Sequence, residues 1–205
     1  MKEQSITNSE AAERNLASES TKSTANRLST RTMVQMAMFA ALLAVSAYIS
    51  IPLPLPGAPH ITMQNFMIIL IALLFPATQS FGIILVWMLL GAVGVPVFIG
   101  GKGGIGYLVS NPWGGYTWVF LLVAILLPLI RGVKYNRIRY TIAAVIGVLV
   151  IDLLGMVYLR FYPESGYNWL MAWTGGFLSF LPLDLVKAVV AAQIVPLFHK
   201  VMKQS

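Results

Sequence analysis

Residues 177–202 read FLSFLPLDLVKAVVAAQIVPLFHKVM, an apolar segment long enough to cross a bilayer that carries one acid and one base near its middle. Asp184 and Lys187 are three residues apart, so a helix places both side chains on one face. A charged side chain at the centre of a membrane helix costs roughly 2.5–3.5 kcal/mol on insertion scales. The pair therefore indicates a polar site, with a purely structural ion pair as the alternative.

The composition of the whole chain is that of a membrane protein. Of the 205 residues, 58% are hydrophobic and 10% are charged, whereas soluble domains contain about 45–50% apolar and about 25% charged residues. The chain has no cysteine, which excludes disulfides, thiol catalysis and cysteine-ligated metals. The net charge of +7 is first of all evidence about topology, because most basic residues flank apolar segments. No nucleic-acid partner is expected.

Six apolar segments predict an all-α membrane protein with six transmembrane helices, formed by residues 32–203. Residues 1–31 are polar and lack the apolar region of a signal peptide, so we interpret them as a disordered cytoplasmic tail. A short interfacial helix is expected at 169–176, before the last span. The spans are predicted at 34–51, 63–75, 80–95, 117–130, 138–159 and 177–202.

The basic residues predict the orientation of these spans. Eleven of the fourteen Lys and Arg residues lie in the N-terminal tail, in the loop between the fourth and fifth spans, and at the C-terminus. By the positive-inside rule, both termini are then cytoplasmic. The chain is therefore predicted to be a multi-pass protein of the cell membrane, surrounded by lipid, and we take the membrane to be a bacterial plasma membrane.

The first span carries alanines at a spacing that allows another helix to approach closely. Ala37 and Ala41 form one small-xxx-small pair, and Ala40 and Ala44 form a second. Such a face serves either packing inside the protein's own bundle or docking of another subunit. The residues alone leave both uses open.

Two irregular loops lie on the predicted outer side of the membrane. Residues 52–59 contain four prolines, which excludes a regular helix. Residues 100–106 are rich in glycine, but Lys102 is followed by glycine rather than Ser or Thr, so this is not a phosphate-binding loop. Asp184 lies on the same side, about 10 Å into its span. We predict that these loops, Gln64 and the acid–base pair form one outward-facing pocket.

The chain resembles the BioY family, the biotin-specific substrate-binding subunits of energy-coupling factor (ECF) transporters, over about residues 34–201. Several motifs that carry the resemblance occur in order and at the expected spans. They are IPLPLPG at 51–57, TMQ at 62–64, GVPVFIGGKGG at 94–104, GGY at 114–116 and LPLDLVK at 181–187. The resemblance implies a six-helix protein that captures biotin from outside the cell with high affinity. It also implies that the protein is not an enzyme and needs no cofactor or metal.

The resemblance also implies partners and site residues. The expected partners are a transmembrane coupling protein and two cytoplasmic ATPase subunits. Asp184 and Lys187 match the acid and base needed for biotin binding, while Gln64 and Tyr116 match pocket positions. Asn111 is predicted as a further substrate-binding residue, although Asn-Pro-Trp stands here where Gly-Pro-Thr is expected. The family's docking surface corresponds to the helix-one alanines Ala37, Ala40, Ala41 and Ala44.

The chemistry of biotin is compatible with this pair. A carboxylate such as Asp184 accepts hydrogen bonds from the ureido N–H groups. Lys187 either attracts the valerate carboxylate or donates to the ureido oxygen, and the sequence leaves both roles open. Trp113 and Tyr116 are available to cover the apolar thiophane ring.

Three alternatives were weighed against biotin capture with ATPase partners. The same fold could bind another vitamin such as thiamine or riboflavin, although a lysine in the pocket favours biotin. The chain could also transport biotin alone, without ATPases. An intramembrane aspartyl protease would use Asp152 and Asp184 as a dyad, but neither residue has the YD or GxGD context, and Lys187 would keep Asp184 ionised.

Overall fold

The computed structural model describes residues 29–51 and 61–204. The proline loop at 52–59 and nearly all of the predicted tail at 1–31 lie outside the described residues. The chain divides into two compact units, Met1–Gln35 and Met36–Ser205. In the described part of the first unit, Ser29 Oγ accepts the backbone N–H of Thr32 at 3.2 Å and so caps the first helix.

Helices dominate the described chain, and its strands form a single two-residue antiparallel pair. In chain order, the elements are α1 (Thr30–Ser46), β1 (Ser50–Ile51), β2 (Ile61–Thr62), α2 (Gln64–Leu74), α3 (Ala77–Ala92), α4 (Ile105–Val109), α5 (Gly114–Arg131), α6 (Arg137–Phe161), α7 (Trp169–Met171), a π-helix (Ala172–Leu178) and α8 (Leu181–Gln204). In the sheet, Ser50 pairs with Thr62 and Ile51 pairs with Ile61.

Three helical segments are long and apolar enough to cross a membrane, namely Gly114–Arg131, Arg137–Phe161 and Trp169–Met202. The helices α1, α2 and α3 are also apolar but shorter, with 17, 11 and 16 residues. At 1.5 Å per residue, α2 is about 16 Å long, roughly half the thickness of the hydrocarbon core. The mostly helical membrane fold is thus confirmed, while the count of six spans and the orientation of the termini stay predictions.

Helix α2 is surrounded by other helices. Eight of its eleven residues are buried, including Gln64 and all of 68–74. It packs against α3, α5, α6 and α8. A helix that is apolar on all sides is expected in such a position, because it has no face that must meet water. The first residues of α2 are therefore held firmly against α8, which carries the acid–base pair.

The outward faces of the long helices are apolar. Helix α5 exposes Leu122, Ile125 and Leu129, and α6 exposes Ile138 and Ile142. Exposed apolar surface of this extent is typical of a protein that contacts lipid or another protein. Together with the lengths of the helices, it supports a membrane-embedded chain.

Two glycines allow α5 and α6 to approach closely. A Cβ atom on Gly115 of α5 would overlap the ring of Tyr158, and a Cβ atom on Gly155 of α6 would overlap the ring of Tyr116. Each helix thus packs an aromatic ring directly against the backbone of the other. This contact determines where Tyr116, a predicted site residue, lies.

Candidate functional site

Asp184 and Lys187 form the ion pair that their spacing predicts. Lys187 Nζ lies 2.6 Å from Asp184 Oδ1. The Asp184 side chain is buried, whereas 15% of the Lys187 side chain remains exposed. Asp184 lies in the first turn of α8, where the helix dipole favours a negative charge.

The pair also binds two residues from the first half of the chain. Lys187 Nζ donates to the backbone carbonyl of Thr62 at 2.8 Å. Asn65 Nδ2 donates to Asp184 Oδ2 at 2.5 Å, so each carboxylate oxygen of Asp184 has a donor. Hydrogen bonds to charged groups are about twice as strong as neutral ones. We call Thr62, Asn65, Asp184 and Lys187 the Asp184 network.

A cavity of about 30 Å³ lies beside this network. Three of the lining residues are polar, Thr62, Asn65 and Asp152, and we call them the polar side. The rest of the lining is apolar and mostly aromatic, and we call it the aromatic side; it consists of Ile99, Trp113, Tyr116, Phe120 and Phe180. Asp184 and Lys187 are not among the lining residues, so the network reaches the cavity through Thr62 and Asn65.

The aromatic side of the cavity is held together by ring contacts. The Trp113 and Tyr116 rings stack with centroids 5.8 Å apart, and Phe180 packs edge-on to both at 6.4 and 6.3 Å. The Tyr116 hydroxyl donates to the carbonyl of Gly176 at 2.5 Å. Gly176 lies in the π-helix, a type of distortion that is frequent at functional sites. These contacts join Trp113, Tyr116 and Phe180 into one aromatic wall.

Asp152 projects from α6 and has no polar partner in the described part of the chain. Its side chain is 1% exposed, and neither carboxylate oxygen has a hydrogen-bond partner there. The charges of Asp184 and Lys187 lie within electrostatic range of it. About nine in ten buried polar groups or more are hydrogen-bonded. Asp152 is thus an exception within the lining of a cavity.

Two of the predicted site residues lie next to the cavity rather than in its lining. Gln64 is buried, and its Nε2 donates to the carbonyl of Val97 at 3.2 Å. Asn111 Oδ1 accepts the backbone N–H of Trp113 at 2.9 Å and so shapes the turn that precedes α5. Each supports a segment that contributes to the cavity. Direct contact of Gln64 or Asn111 with a ligand stays a prediction.

The glycine-rich loop places Ile99 at the cavity. Phe98 N donates to the carbonyl of Lys102 at 2.9 Å and closes a tight turn. Gly100 and Gly101 have φ angles of 71° and 70° in this turn, a conformation that favours glycine. The buried Phe98 side chain anchors the loop to the core.

The four alanines of α1 lie on two different sides of the helix. Ala40 and Ala44 are partly buried and pack against the core, beside the fully buried Phe39. Ala37 and Ala41 are exposed. Internal packing therefore accounts for the first pair, and the second pair forms a small-residue face on the surface of the protein.

Asn65 and Asp152 were not predicted as site residues. Asn65 follows Gln64 directly, and the sequence shows two adjacent amides without showing which of them faces α8. For Asp152 a signal did exist, because a single acid inside an apolar span by itself suggests an intramembrane functional site. What the sequence could not show is that α6 brings this acid to the same cavity as β2 and α2.

Comparisons with known proteins agree with this fold. A sequence model of the BioY family matches residues 19–204. Biotin transporter BioY of Thermotoga maritima is 37% identical over 164 residues, which cover 80% of this chain and 93% of that protein. Biotin transporter BioY2 of Lactococcus lactis subsp. cremoris is 32% identical over 155 residues, which cover 75% of this chain and 82% of that protein.

The fold is also similar to a solved structure. The crystal structure of the S-component for biotin from an ECF-type ABC transporter superposes with a TM-score of 0.73 at 24% identity, covering 82% of this chain and 90% of that chain. The family match extends over all the described helices and every residue of the cavity. This chain belongs to the BioY family.

Proposed function

We propose that this protein captures biotin from outside the cell and serves as the substrate-binding subunit of an ECF-type ABC transporter. The observation that carries the proposal is a cavity with one polar and one aromatic side, placed beside the Asp184 network in a chain of the BioY family. The named relatives are biotin transporters, which supports the same substrate. A subunit of this kind binds and moves its substrate without changing it, so it is not an enzyme.

The chemistry of biotin matches the two sides of the cavity. Its ureido ring donates through N–H groups and accepts through a carbonyl, and Thr62, Asn65 and Asp152 offer both kinds of partner. Its thiophane ring and valerate chain are apolar and fit the aromatic side. The cavity holds about 30 Å³ as it stands, so it would have to open to admit biotin.

The Asp184–Lys187 pair has an orienting role in this proposal. Asp184 holds the amide of Asn65, and Lys187 holds the carbonyl of Thr62, so each acts on biotin through a residue that lines the cavity. Lys187 also remains partly exposed and is the cation of the network. Because it does not line the cavity, it would attract the valerate carboxylate by its charge and not by direct contact. Tyr116 contributes its ring to the aromatic side.

Isothermal titration calorimetry of the purified protein in detergent tests the substrate. Biotin should bind, whereas thiamine and riboflavin should bind more weakly or not at all, because only biotin combines a ureido ring with a carboxylate. Stronger binding of either other vitamin, or no heat with biotin, would refute the proposal. Identification of a small molecule that copurifies with the protein gives an independent check.

A matched pair of phenylalanine variants ties any binding to this cavity. Phe180 lines the cavity and is 7% exposed, whereas Phe161 lies outside it and is 67% exposed. Phe180→Ala should therefore weaken biotin binding, because it removes part of the aromatic side, and Phe161→Ala should not. Equal affinities of the two variants would place the biotin site elsewhere.

The proposed topology has six spans and cytoplasmic termini, with residues 32–203 in the bacterial cell membrane and residues 1–31 as a cytoplasmic tail. It is supported by three long and three shorter apolar helices and by the distribution of basic residues. The natural absence of cysteine allows a direct test with Lys102→Cys and Lys134→Cys. A membrane-impermeant maleimide added to intact cells should label only the first variant, and the reverse pattern would invert the topology.

The proposed partners are a transmembrane coupling protein and two cytoplasmic ATPases, docked on the exposed alanine face of α1. Ala37→Trp and Ala41→Trp should abolish copurification with the coupling protein and leave biotin affinity unchanged, since neither residue lines the cavity. Leu129→Trp, at a 70% exposed position of α5, is the control for added surface bulk. A complex that survives both alanine changes would exclude this face. Uptake in cells without ATPase partners would favour a solitary transporter.

A further inference from the structure

Asp152 is the buried acid of the cavity that the Asp184 network leaves unused. Both oxygens of Asp184 are occupied, one by Lys187 Nζ and the other by Asn65 Nδ2. Asp152 is equally buried, lines the cavity, and has no hydrogen-bond partner on either oxygen within the described residues. Of the two acids, Asp152 is therefore the one that lines the cavity with both of its oxygens still without a donor from the described residues.

We propose that Asp152 is a specificity-determining residue that accepts a hydrogen bond from an N–H of the ligand's ureido ring. This assignment rests on the proposed function and deepens it. Each N–H group of the ureido ring needs an acceptor, and a carboxylate offers two acceptor oxygens. Asp184 then positions Asn65, and Asp152 contacts the ligand.

A purely structural role fits the surroundings of Asp152 less well. Acidic residues inside membrane helices usually pair with another protein group. The charged residues within range of Asp152 are Asp184 and Lys187, which neutralise each other. A buried polar group without a partner lowers stability. Its presence in the cavity is therefore explained if the ligand supplies the missing donor.

This role makes the site sensitive to the charge of the ligand. In 2-iminobiotin a guanidinium group replaces the neutral urea and presents adjacent N–H donors to a carboxylate. The Asp152 carboxylate should therefore support binding of 2-iminobiotin as well as biotin. Asp152→Asn retains an amide oxygen that can accept from biotin, but it removes the carboxyl group that can ionise and pair with the guanidinium.

The experiment compares the wild-type chain with Asp152→Asn, both purified full-length in detergent. Calorimetry at one fixed pH gives the affinities for biotin and for 2-iminobiotin, and thermal unfolding is followed without ligand. We expect biotin affinity to fall by roughly tenfold and 2-iminobiotin affinity to fall by about a further tenfold. The unfolding temperature without ligand should stay the same or rise, because the protein loses an unpartnered buried carboxyl.

Glu164→Gln is the matched control, because Glu164 is an exposed acid outside the cavity. It should change neither affinity nor the ratio between the two ligands. Asp152→Ser repeats the measurement with a smaller side chain. Loss of the fold in both Asp152 variants would overturn the proposal, since it would show that the protein itself needs this acid.

Two further results show whether only this inference fails or whether the proposed function fails as well. If wild type binds biotin and Asp152→Asn leaves the ratio of the two affinities unchanged, Asp152 does not contact the ureido ring, and only this inference fails. If wild type binds no biotin, the proposed function fails and this inference fails with it. A lower unfolding temperature combined with unchanged affinities would assign Asp152 to the structure of α6.

Discussion

At the C-terminal end of α5, the buried guanidinium of Arg131 donates to the Tyr140 hydroxyl at 2.5 Å and to the carbonyl of Phe75 at 3.0 Å. In α6, the equally buried carboxyl of Asp152 has no such partner among the described residues. Arg131 also lies over the ring of Tyr140, with its Cζ 5.4 Å from the ring centroid. Arg131 thus joins α5 to α6 and to the end of α2, whereas Asp152 faces a cavity.

The difference separates two uses of a buried charge. A charge that the protein surrounds with partners holds helices together, and removing it leaves those partners unsatisfied. A charge left without protein partners destabilises the empty protein and gains its partners only from a ligand. Substitution of Arg131 should therefore lower mainly the stability of the protein, whereas substitution of Asp152 should lower mainly its affinity for the ligand.

The largest expected effect is on stability, in the Arg131 region. Arg131→Ala removes three hydrogen bonds from a charged donor, to the Tyr140 hydroxyl and to the carbonyls of Phe75 and Gly132. At about 1.5–3 kcal/mol for each such bond, the free energy of unfolding should fall by about 3 kcal/mol or more. Thermal unfolding in detergent measures the loss. Lys134→Ala, at an exposed position, is the control and should unfold like wild type; equal behaviour of the two variants would contradict this assignment.

The next effect is on affinity, in the Asp184 network. Asp184→Asn and Lys187→Asn should each weaken biotin binding by roughly ten- to a hundredfold, because Asn65 and Thr62 lose their charged partners. The double variant leaves no unpaired charge and should fold, yet it should still bind poorly. A double variant with near-normal affinity would make the pair purely structural. Lys200→Asn, an exposed change on the same helix, should bind as wild type does.

The smallest expected effects are on stability and concern two tyrosine hydroxyl groups, one in each region. Tyr116→Phe removes the 2.5 Å bond to Gly176 and should cost about 1 kcal/mol of stability. Tyr135→Phe removes a longer bond of 3.3 Å to Ala192 at a more exposed position, and its effect should stay within about 0.5 kcal/mol. Chemical denaturation of both variants measures which of them loses more stability. A larger loss in Tyr135→Phe would contradict this order.

Local features of the molecule were predictable because they depend on neighbouring residues. The predicted spans 117–130 and 138–159 fall inside α5 (Gly114–Arg131) and α6 (Arg137–Phe161). The bond between Asp184 and Lys187 follows from helix geometry, which brings residues three apart together. In these cases, hydropathy and spacing contain the needed information.

The composition of the cavity was only partly predictable because it depends on distant contacts. Asn65 and Asp184 are 119 residues apart, and no local pattern joins them. Adjacent side chains on a helix diverge by about 100°, so Gln64 points to Val97 while Asn65 points to the cavity. Trp113 and Tyr116 were expected to cover an apolar ring, and the structure places both in the lining.

The sequence predicts that the interfacial helix ends at residue 176 and that the last span begins at residue 177. The structure differs from this prediction. The structure carries the helical run through the π-helix Ala172–Leu178, where Ser179 N donates to the carbonyl of Thr174 at 3.1 Å. The wider turn of the π-helix lets the chain pass from the interfacial helix into the last span without ending the helix. The Trp169–Met202 run is continuous as a result.

The 2.6 Å separation between Lys187 Nζ and Asp184 Oδ1 also matters for the response of the protein to a membrane voltage. A single elementary charge that crosses the membrane field involves about 2.3 kcal/mol per 100 mV. Two opposite charges that move together involve almost no net electrical work. An inside-negative voltage would oppose the entry of the biotin carboxylate by the full amount for one charge. Any voltage dependence of uptake would therefore originate in the carried anion, and the ion pair would be electrically silent.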